Sequence, residues 1–413
     1  MTLHLTIDGQ RVSAPAGATI LDAARTAGIR IPTLCHHPDL STVGACRMCV
    51  VSVRGARALQ TACTTPAAEG MVVDTMSQEA IDTRKFVLEM LLTDHPNDCM
   101  SCEVNGDCEL QDLVYDYGVK WPEHAGKRHE WPLDPDTNPF IFIDRNKCIL
   151  CSRCIRACGE RQNRDVWSFA FRGFQTKLVA GADQPMLEAG CESCGQCVAY
   201  CPVGALYDKM SLGKGRVSQV KKVRTTCSYC GVGCNFDLNV RDGKIVRVTS
   251  TREAPVNGLA LCVKGRYGYD YVHHPDRLTR PLVRAKWLAG LALSGAEGAE
   301  EQVASGRWQV VGEEATERRR DAGTQQDGGN GHHSNLQSPN PQSPISPDAF
   351  IAVDWDTALE VVAGKFAAER KERGGDAFAV LASAKCTNEE NFLIAKLTRQ
   401  LLATNSIDHC ARL

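Results

Sequence analysis

The 413-residue sequence has almost no net charge: 47 lysines and arginines stand against 49 aspartates and glutamates, leaving −2. That balance implies no strong polyelectrolyte partner, so nucleic acid is not expected. The amino terminus, MTLHLTIDGQ, has neither the basic, apolar, small-residue order of a secretory signal nor a twin arginine. No uninterrupted apolar run approaches the ~20 residues that span a bilayer. A cytoplasmic chain without a membrane span is expected, and in a reducing compartment a disulfide framework is not. Those absences leave 21 cysteines to explain. Metal ligation is the expected use: nineteen fall into clustered motifs, and Cys386 and Cys410 are left over.

The densest stretch reads C-x2-C-x2-C-x3-C at Cys148, Cys151, Cys154 and Cys158, and again at Cys191, Cys194, Cys197 and Cys201, with Pro202 next. This is the spacing of paired 4Fe–4S clusters, in which the fourth cysteine of each run ligates the other cluster. It predicts one site of Cys148, Cys151, Cys154 and Cys201, and a twin of Cys191, Cys194, Cys197 and Cys158. Two zinc ribbons are the alternative, but zinc sites use pairs of C-x2-C and not runs of four. Gly159 stands where a proline follows the second run, and glycine can also end that turn.

Length suggests about three domains, and 43% hydrophobic residues suffice for real cores. Residues 3–13 alternate as a strand with a turn at Asp8-Gly9, and Thr19 is placed to cap a helix from Leu21 to Ala27 that stops at Gly28. A loop then carries Cys35, Cys46 and Cys49, with Cys63 beyond; Gly44 and Ala45 would let backbone approach sulfur. Strand, turn, strand, helix and cysteine loop resemble the β-grasp ferredoxins with one 2Fe–2S cluster; a zinc knuckle is the alternative. His36 and His37 read as solvated or as local hydrogen bonders. Residues 78–92 read as an amphipathic helix with Ile81, Phe86, Val87, Met90 and Leu91 for packing. It leads to His95, Cys99, Cys102 and Cys108, spaced H-x3-C-x2-C-x5-C. Either His95 is a fourth ligand, which removes one negative charge from a cluster, or it caps a loop.

Residues 120–140 read as an ordered strap with Trp121 and Trp131 as anchors, and Phe140 to Ile143 as a strand. Cys227, Cys230, Cys234 and Cys262 follow as C-x2-C-x3-C-x27-C, with a hairpin from Phe236 to Val248 turning at Asp242-Gly243, so a small β layer with another 4Fe–4S cluster is expected. Lys264 either bridges that cluster to a further cofactor or is a surface lysine. Residues 285–349 are low in apolar content and contain Arg318 to Arg320, His332, His333 and a Ser/Pro/Asn/Gln tract. They read as a disordered insertion. From Phe350 a helix over about 356–373, an apolar strand over 378–382 that is expected to be buried and a helix capped by Thr387 and Glu390 begin a doubly wound α/β domain. Leu393, Leu397 and Leu401 mark one face of that last helix.

The first 210 residues resemble the large peripheral-arm iron–sulfur subunit of respiratory complex I, and equally the start of NAD(P)-linked iron-only hydrogenases. Cys227-Ser-Tyr-Cys-Gly-Val-Gly-Cys234, Leu261-Cys-Val-Lys-Gly265 and the run His274 to Leu282 resemble the molybdopterin-dependent oxidoreductases. Within these, Ser383 to Asn391 and Asp408 to Leu413 resemble the formate dehydrogenases. The hydrogenase reading is disfavoured, because the extra cysteines of its catalytic cluster are absent and Cys262-Val-Lys-Gly265 has no place in it.

The resemblance implies a multidomain α+β chain. Its parts are a β-grasp 2Fe–2S domain (1–77), a one-histidine, three-cysteine 4Fe–4S segment (78–120), a paired 4Fe–4S ferredoxin domain (138–210), a small β 4Fe–4S domain (220–284), the insertion (285–349) and the beginning of a molybdopterin α/β domain (350–413). It further implies one 2Fe–2S and four 4Fe–4S clusters, a bis-pterin molybdenum or tungsten centre, formate as substrate, a flavin-bearing NAD-reducing partner subunit, and Lys264 as electron relay to the pterin. The family's metal ligand, cysteine or selenocysteine, would follow Leu413, directly after Cys410-Ala-Arg-Leu413. A UGA codon read as a stop would account for that, and the chain as written is then expected to hold clusters without oxidising formate. Cys386 and Cys410 are then structural thiols. A non-catalytic electron-transfer subunit is the other reading.

Overall fold

The computed structural model describes residues 2–120, 122, 126–288, 309–311 (backbone) and 348–409. The chain forms two compact units, residues 1–273 and 274–413.

The first unit opens with alternating apolar residues that make strands β1 (Thr2–Ile7) and β2 (Gln10–Pro15), joined at Asp8-Gly9, both with positive φ. Helix α1 (Ile20–Thr26) starts at Thr19, the cap the sequence predicts, which forms a capping box with Asp22. Strands β3 (Val50–Val53), β4 (Gln60–Thr61) and β5 (Val72–Asp74) complete a sheet of order β2-β1-β5-β3-β4, with β1 and β5 parallel. Leu5, Ile7, Ile20, Leu21 and Val51 form its core, and Cys49 and Cys63 pack into it.

On helix α2 (Gln78–Asp94) the packing expectation holds in part: Ile81 is half-buried and Val87 and Leu91 pack against the core around Leu88. Phe86 and Met90 are exposed, and the buried positions are Ala80, Arg84 and Leu88. Arg84 takes the core place because its guanidinium has internal acceptors, the Val50 carbonyl at 2.6 Å and the Tyr117 hydroxyl at 3.0 Å. Helix α3 (Glu109–Asp116) follows. The strap is ordered where described, but His129 anchors it: its backbone and Nδ1 bond Asp94, and its ring stacks on Phe174 and Trp131. Trp121 lies outside the described residues.

Strand β6 (Ile141–Ile143) leads into helix α4 (Arg153–Arg156), hairpin β7 (Trp167–Ala170) and β8 (Lys177–Ala180), helix α5 (Gln196–Tyr200) and strand β9 (Leu206–Asp208), which returns antiparallel to β6. Gly159 does not end a turn. It sits inside a π-helical turn, Ala157–Arg161, and a Cβ there would overlap Asp165 Oδ1, so close approach explains the glycine. Strands β10 (Lys221–Thr226), β11 (Asn235–Arg241) and β12 (Lys244–Thr249) form an antiparallel sheet, with the expected turn at Asp242-Gly243 between the last two. Helix α6 (Val263–Tyr267) starts directly after Cys262.

In the second unit, β13 (Leu282–Arg284), β14 (Gln309–Val311) and β15 (Phe350–Ala352) form one sheet, with α7 (Ala285–Leu288) beside it. Helix and strand thus occur inside the stretch expected to be disordered; residues 289–308 and 312–347, with Arg318 to Arg320 and both histidines, lie outside the described residues. Helix α8 (Trp355–Arg373) ends at Gly374, and β16 (Val380–Ala382) pairs in parallel with β17 (Ile407–His409). Helix α9 (Asn388–Lys396) has the expected capping box of Thr387 and Glu390. The strand expected to be buried is not: Leu381 is 82% exposed, and Phe392, Leu393 and Leu401 are also exposed. Among the described residues no helix is long and apolar enough to cross a membrane.

Candidate functional site

The cysteines gather in sets, each built from a loop with special backbone geometry. In the β-grasp region the thiols come together as two pairs. Cys35 and Cys46 exchange backbone N–H to Sγ contacts at 3.4 and 3.5 Å, and Cys49 Sγ lies 3.3 Å from Cys63 Sγ. The Cys46 thiol and the amides of Cys46 and Ala45 hold the Cys35 thiol down at about 5 despite burial. Gly44 has positive φ, and its close neighbour is the Thr64 methyl, not sulfur, so its glycine serves the turn. His36 is buried, with Nδ1 3.3 Å from Arg25, and His37 Nδ1 accepts from the Asp39 amide. Burial holds both imidazoles low, at about 4. They are local hydrogen bonders; the solvated alternative is out for His36.

The second set follows α2. His95 caps that helix, and its Nδ1 faces the Pro96 carbonyl at 3.0 Å. Its Nε2 is buried without a partner, and burial lowers its pKa. With Nδ1 donating, Nε2 is a free lone pair turned into the protein, the form in which imidazole binds metals. Cys99 and Cys102 interact electrostatically with each other and with Cys108, whose thiol burial pushes up to about 11. Cys108 is also the N-cap of α3, its Sγ accepting from Gln111 N. A Cβ on Gly204 would lie 3.1 Å from Cys102 Sγ; here, unnoticed in the sequence, backbone does approach sulfur.

The third and fourth sets are one turn built twice. Leu150 and Ser193 both have positive φ, as do Ser152 and Gly195, the corresponding positions of the two runs. Left-handed non-glycine residues are strained and gather at functional loops. The sets cross over. Cys148, Cys151, Cys154 and Cys201 line one cavity with Ile149 and Leu178, and Cys154 feels the other three more strongly than it feels Cys197. Cys197 in turn feels Cys194, Cys191 and Cys158. Burial pushes the Cys148 and Cys151 thiols up to about 12 and Cys201 to about 11. Becoming thiolate so deep in the protein requires a cation, which is the condition for a metal site. Asn138, also unnoticed in the sequence, is fully buried and directs Nδ2 at Ser193 Oγ (3.0 Å) and Cys191 Sγ (3.9 Å).

The fifth set is shallower: Cys227, Cys230, Cys234 and Cys262 influence one another, with Cys230 and Cys262 exposed. A Cβ on Gly265 would lie within 3.9 Å of both Cys227 and Cys262 Sγ. Lys264 is exposed on α6, as the surface-lysine alternative has it, two residues from the exposed Cys262. Cys386 is half-buried in the loop before α9 of the second unit, and Cys410 to Leu413 lie outside the described residues. Among the described residues no three His, Cys, Asp or Glu side chains close on a single metal ion. The donor sets, mostly four soft thiols with one imidazole exchanged in, suit iron–sulfur clusters, whose irons spread the ligands apart.

Family comparisons match the chain in consecutive pieces. Residues 1–78 match a 2Fe-2S iron-sulfur cluster binding domain, 84–122 the NADH-ubiquinone oxidoreductase-G iron-sulfur binding region, and 138–207 the ferredoxin-like domain of the third subunit of NADH-quinone oxidoreductase. Residues 220–274 match the molybdopterin oxidoreductase Fe4S4 domain and 277–413 molybdopterin oxidoreductase. A G-type NADH-quinone oxidoreductase subunit of Rhizobium meliloti is 40% identical over 68% of the chain and 33% of its own length. The alpha subunit of the NADPH-Fe(3+) oxidoreductase of Geobacter sulfurreducens is 32% identical over the whole chain and 40% of its own length. A Staphylococcus aureus protein provisionally named a formate dehydrogenase is 27% identical over 99% of the chain and 39% of its own length. The chain thus spans a third to two fifths of these relatives. In one polypeptide, regions like the 2Fe–2S and 4Fe–4S domains of a G-like NADH-quinone oxidoreductase subunit precede regions that match the molybdopterin oxidoreductase Fe4S4 domain and molybdopterin oxidoreductase.

Proposed function

We propose that this chain is the electron-transfer portion of a formate dehydrogenase that passes electrons to an NAD-reducing, flavin-bearing partner in a hetero-oligomer. The crossed arrangement of the two four-cysteine sets carries the electron-transfer reading. Cys35/Cys46 and Cys49/Cys63 hold the two irons of one 2Fe–2S cluster. His95 with Cys99, Cys102 and Cys108 holds a 4Fe–4S cluster, as do Cys148, Cys151, Cys154 with Cys201, Cys191, Cys194, Cys197 with Cys158, and Cys227, Cys230, Cys234 with Cys262. When bound, such groups supply one-electron transfer, and a molybdopterin supplies the two-electron oxidation of formate to carbon dioxide and a proton. The protein's own share is to bury the ligands, aim amides at sulfur and exclude water. Lys264, two residues after Cys262, is the residue we assign to the pterin side.

The five sets require 2 + 4 × 4, about 18 irons. Iron, sulfide and zinc analysis of the anaerobically reconstituted chain tests this: dominant zinc, or less than about half that iron, rejects the ligand sets. Formate rests on the runs Ser383 to Asn391 and Asp408 to Leu413 and on the Staphylococcus relative. The Geobacter relative supports a second reading, an NAD(P)H-linked electron-transfer subunit without formate chemistry. Anaerobic reduction of the complete enzyme separates them: bleaching by formate supports the first, and bleaching by NAD(P)H alone the second.

A further inference from the structure

We propose that Tyr267 donates a hydrogen bond from Oη to the cluster held by Cys191, Cys194, Cys197 and Cys158, and so raises its reduction potential. The inference rests on the ligand set assigned to that site above.

Tyr267 closes α6, the short helix that begins beside Cys262, so one helix spans from the fifth set to the fourth. Its ring is 2% exposed and stacks on Phe140 at 4.8 Å between centroids. The hydroxyl is buried and has no hydrogen-bond partner in the protein. A buried, unpaired hydroxyl carries a desolvation cost that phenylalanine would avoid. Its surroundings show what it faces. A Cβ built on Gly195 would lie 2.5 Å from Tyr267 Oη, so the phenol occupies the space against the backbone between Cys194 and Cys197. Both of those thiols interact electrostatically with it. Asp208 is also near, yet its own Oδ2 is likewise unpartnered, so the two do not pair.

The comparison with the twin turn is specific. Ser152 and Gly195 hold the same left-handed position, but only Gly195 lacks a side chain. The difference is accounted for by Tyr267 and by Arg266, whose Cδ would overlap the same Cβ. Arg266 is the positioning residue: it is buried, and its guanidinium bonds the Cys194 carbonyl at 3.0 Å and the Leu259 carbonyl at 3.1 Å, pinning the loop to α6. An O–H donor against a cluster sulfur favours the reduced, more negative state.

The test is redox-titrated EPR of the reconstituted full chain, with Cys191→Ser used to identify this cluster's signal. In Tyr267→Phe, iron content stays at the wild-type value, this one potential becomes more negative, and an exchangeable deuteron coupling seen by pulsed EPR in heavy water disappears from its signal. Placing 3,5-difluorotyrosine at 267 strengthens the donor and moves the potential the other way, with no loss of packing. If Tyr267→Phe loses iron, the fluorinated protein decides alone. Unchanged potential in the fluorinated protein, or the same deuteron coupling in an iron-replete Tyr267→Phe, overturns the proposal. Low iron in the wild type overturns the ligand set instead.

Discussion

Arg156 donates from one guanidinium to the backbone carbonyls of Cys35, at 2.5 Å, and Cys151, at 3.3 Å. Those cysteines lie 116 residues apart and belong to two different thiol sets, and Arg156 also reaches the Ser41 carbonyl. One turn earlier Arg153 holds Glu109 at 2.5 Å and the His36 carbonyl at 2.8 Å. Two buried arginines on α4 therefore tie the β-grasp loop, the start of α3 and the first ferredoxin turn into one body.

Arg156→Met is expected to destabilise the chain by on the order of 3 kcal/mol, because buried carbonyls lose charged donors. Arg156→Lys keeps the charge but not the fork, and should lose about half as much. The measure is the rate at which visible absorbance bleaches under chelator and denaturant; rates equal to wild type in both would show that the contacts contribute nothing.

His95→Cys is expected to keep its cluster and lower that potential, since a thiolate adds negative charge. His95→Ala should lose the cluster and about four irons. If EPR and iron analysis leave every signal unchanged in both variants, the orphaned Nε2 is only structural.

Asp208 is 3% exposed, and burial pushes its carboxyl up to about 6. Because the folded pKa lies above the unfolded one, its contribution is full below about pH 4 and is lost as pH rises through about 6. Stability should thus fall between those values by on the order of 2–3 kcal/mol from this group. Asp208→Asn, which keeps an acceptor for Met210 N, should flatten that part of the profile. An identical slope in denaturation between about pH 4 and about pH 6 would assign it to other groups.

Gly195→Ser copies the twin turn but puts a Cβ onto Arg266 and Tyr267, and should destabilise by about 1–3 kcal/mol. Ser152→Gly, which relieves a left-handed serine, should be neutral or stabilising by up to about 1 kcal/mol. Equal tolerance at both positions, read by thermal loss of absorbance, would mean that α6 does not press on the Gly195 turn.

Regular spacing made much of this protein legible in one dimension. Thiol runs three residues apart, the hairpin turns at Asp8-Gly9 and Asp242-Gly243, and the caps at Thr19 and Thr387 are set by local backbone geometry, and the structure has each of them. The matched domains likewise follow in the order the cysteine motifs predict. What depended on contacts across the chain was misread or unseen. Phe86 and Met90 look like core residues in a helical pattern, yet Arg84 is buried because Val50 and Tyr117 happen to offer acceptors. Leu381 looks like a buried strand residue and is exposed. Gly159 looks like a turn glycine, but Asp165 explains it, and Arg266 with Tyr267 explain Gly195, which the sequence did not mark. Sequence alone marked out the candidate donor sets, because the cysteines of each proposed site come mostly from one short loop. Only the tertiary structure decided which buried hydroxyl, amide and guanidinium stand against them, because those groups arrive from up to 121 residues away.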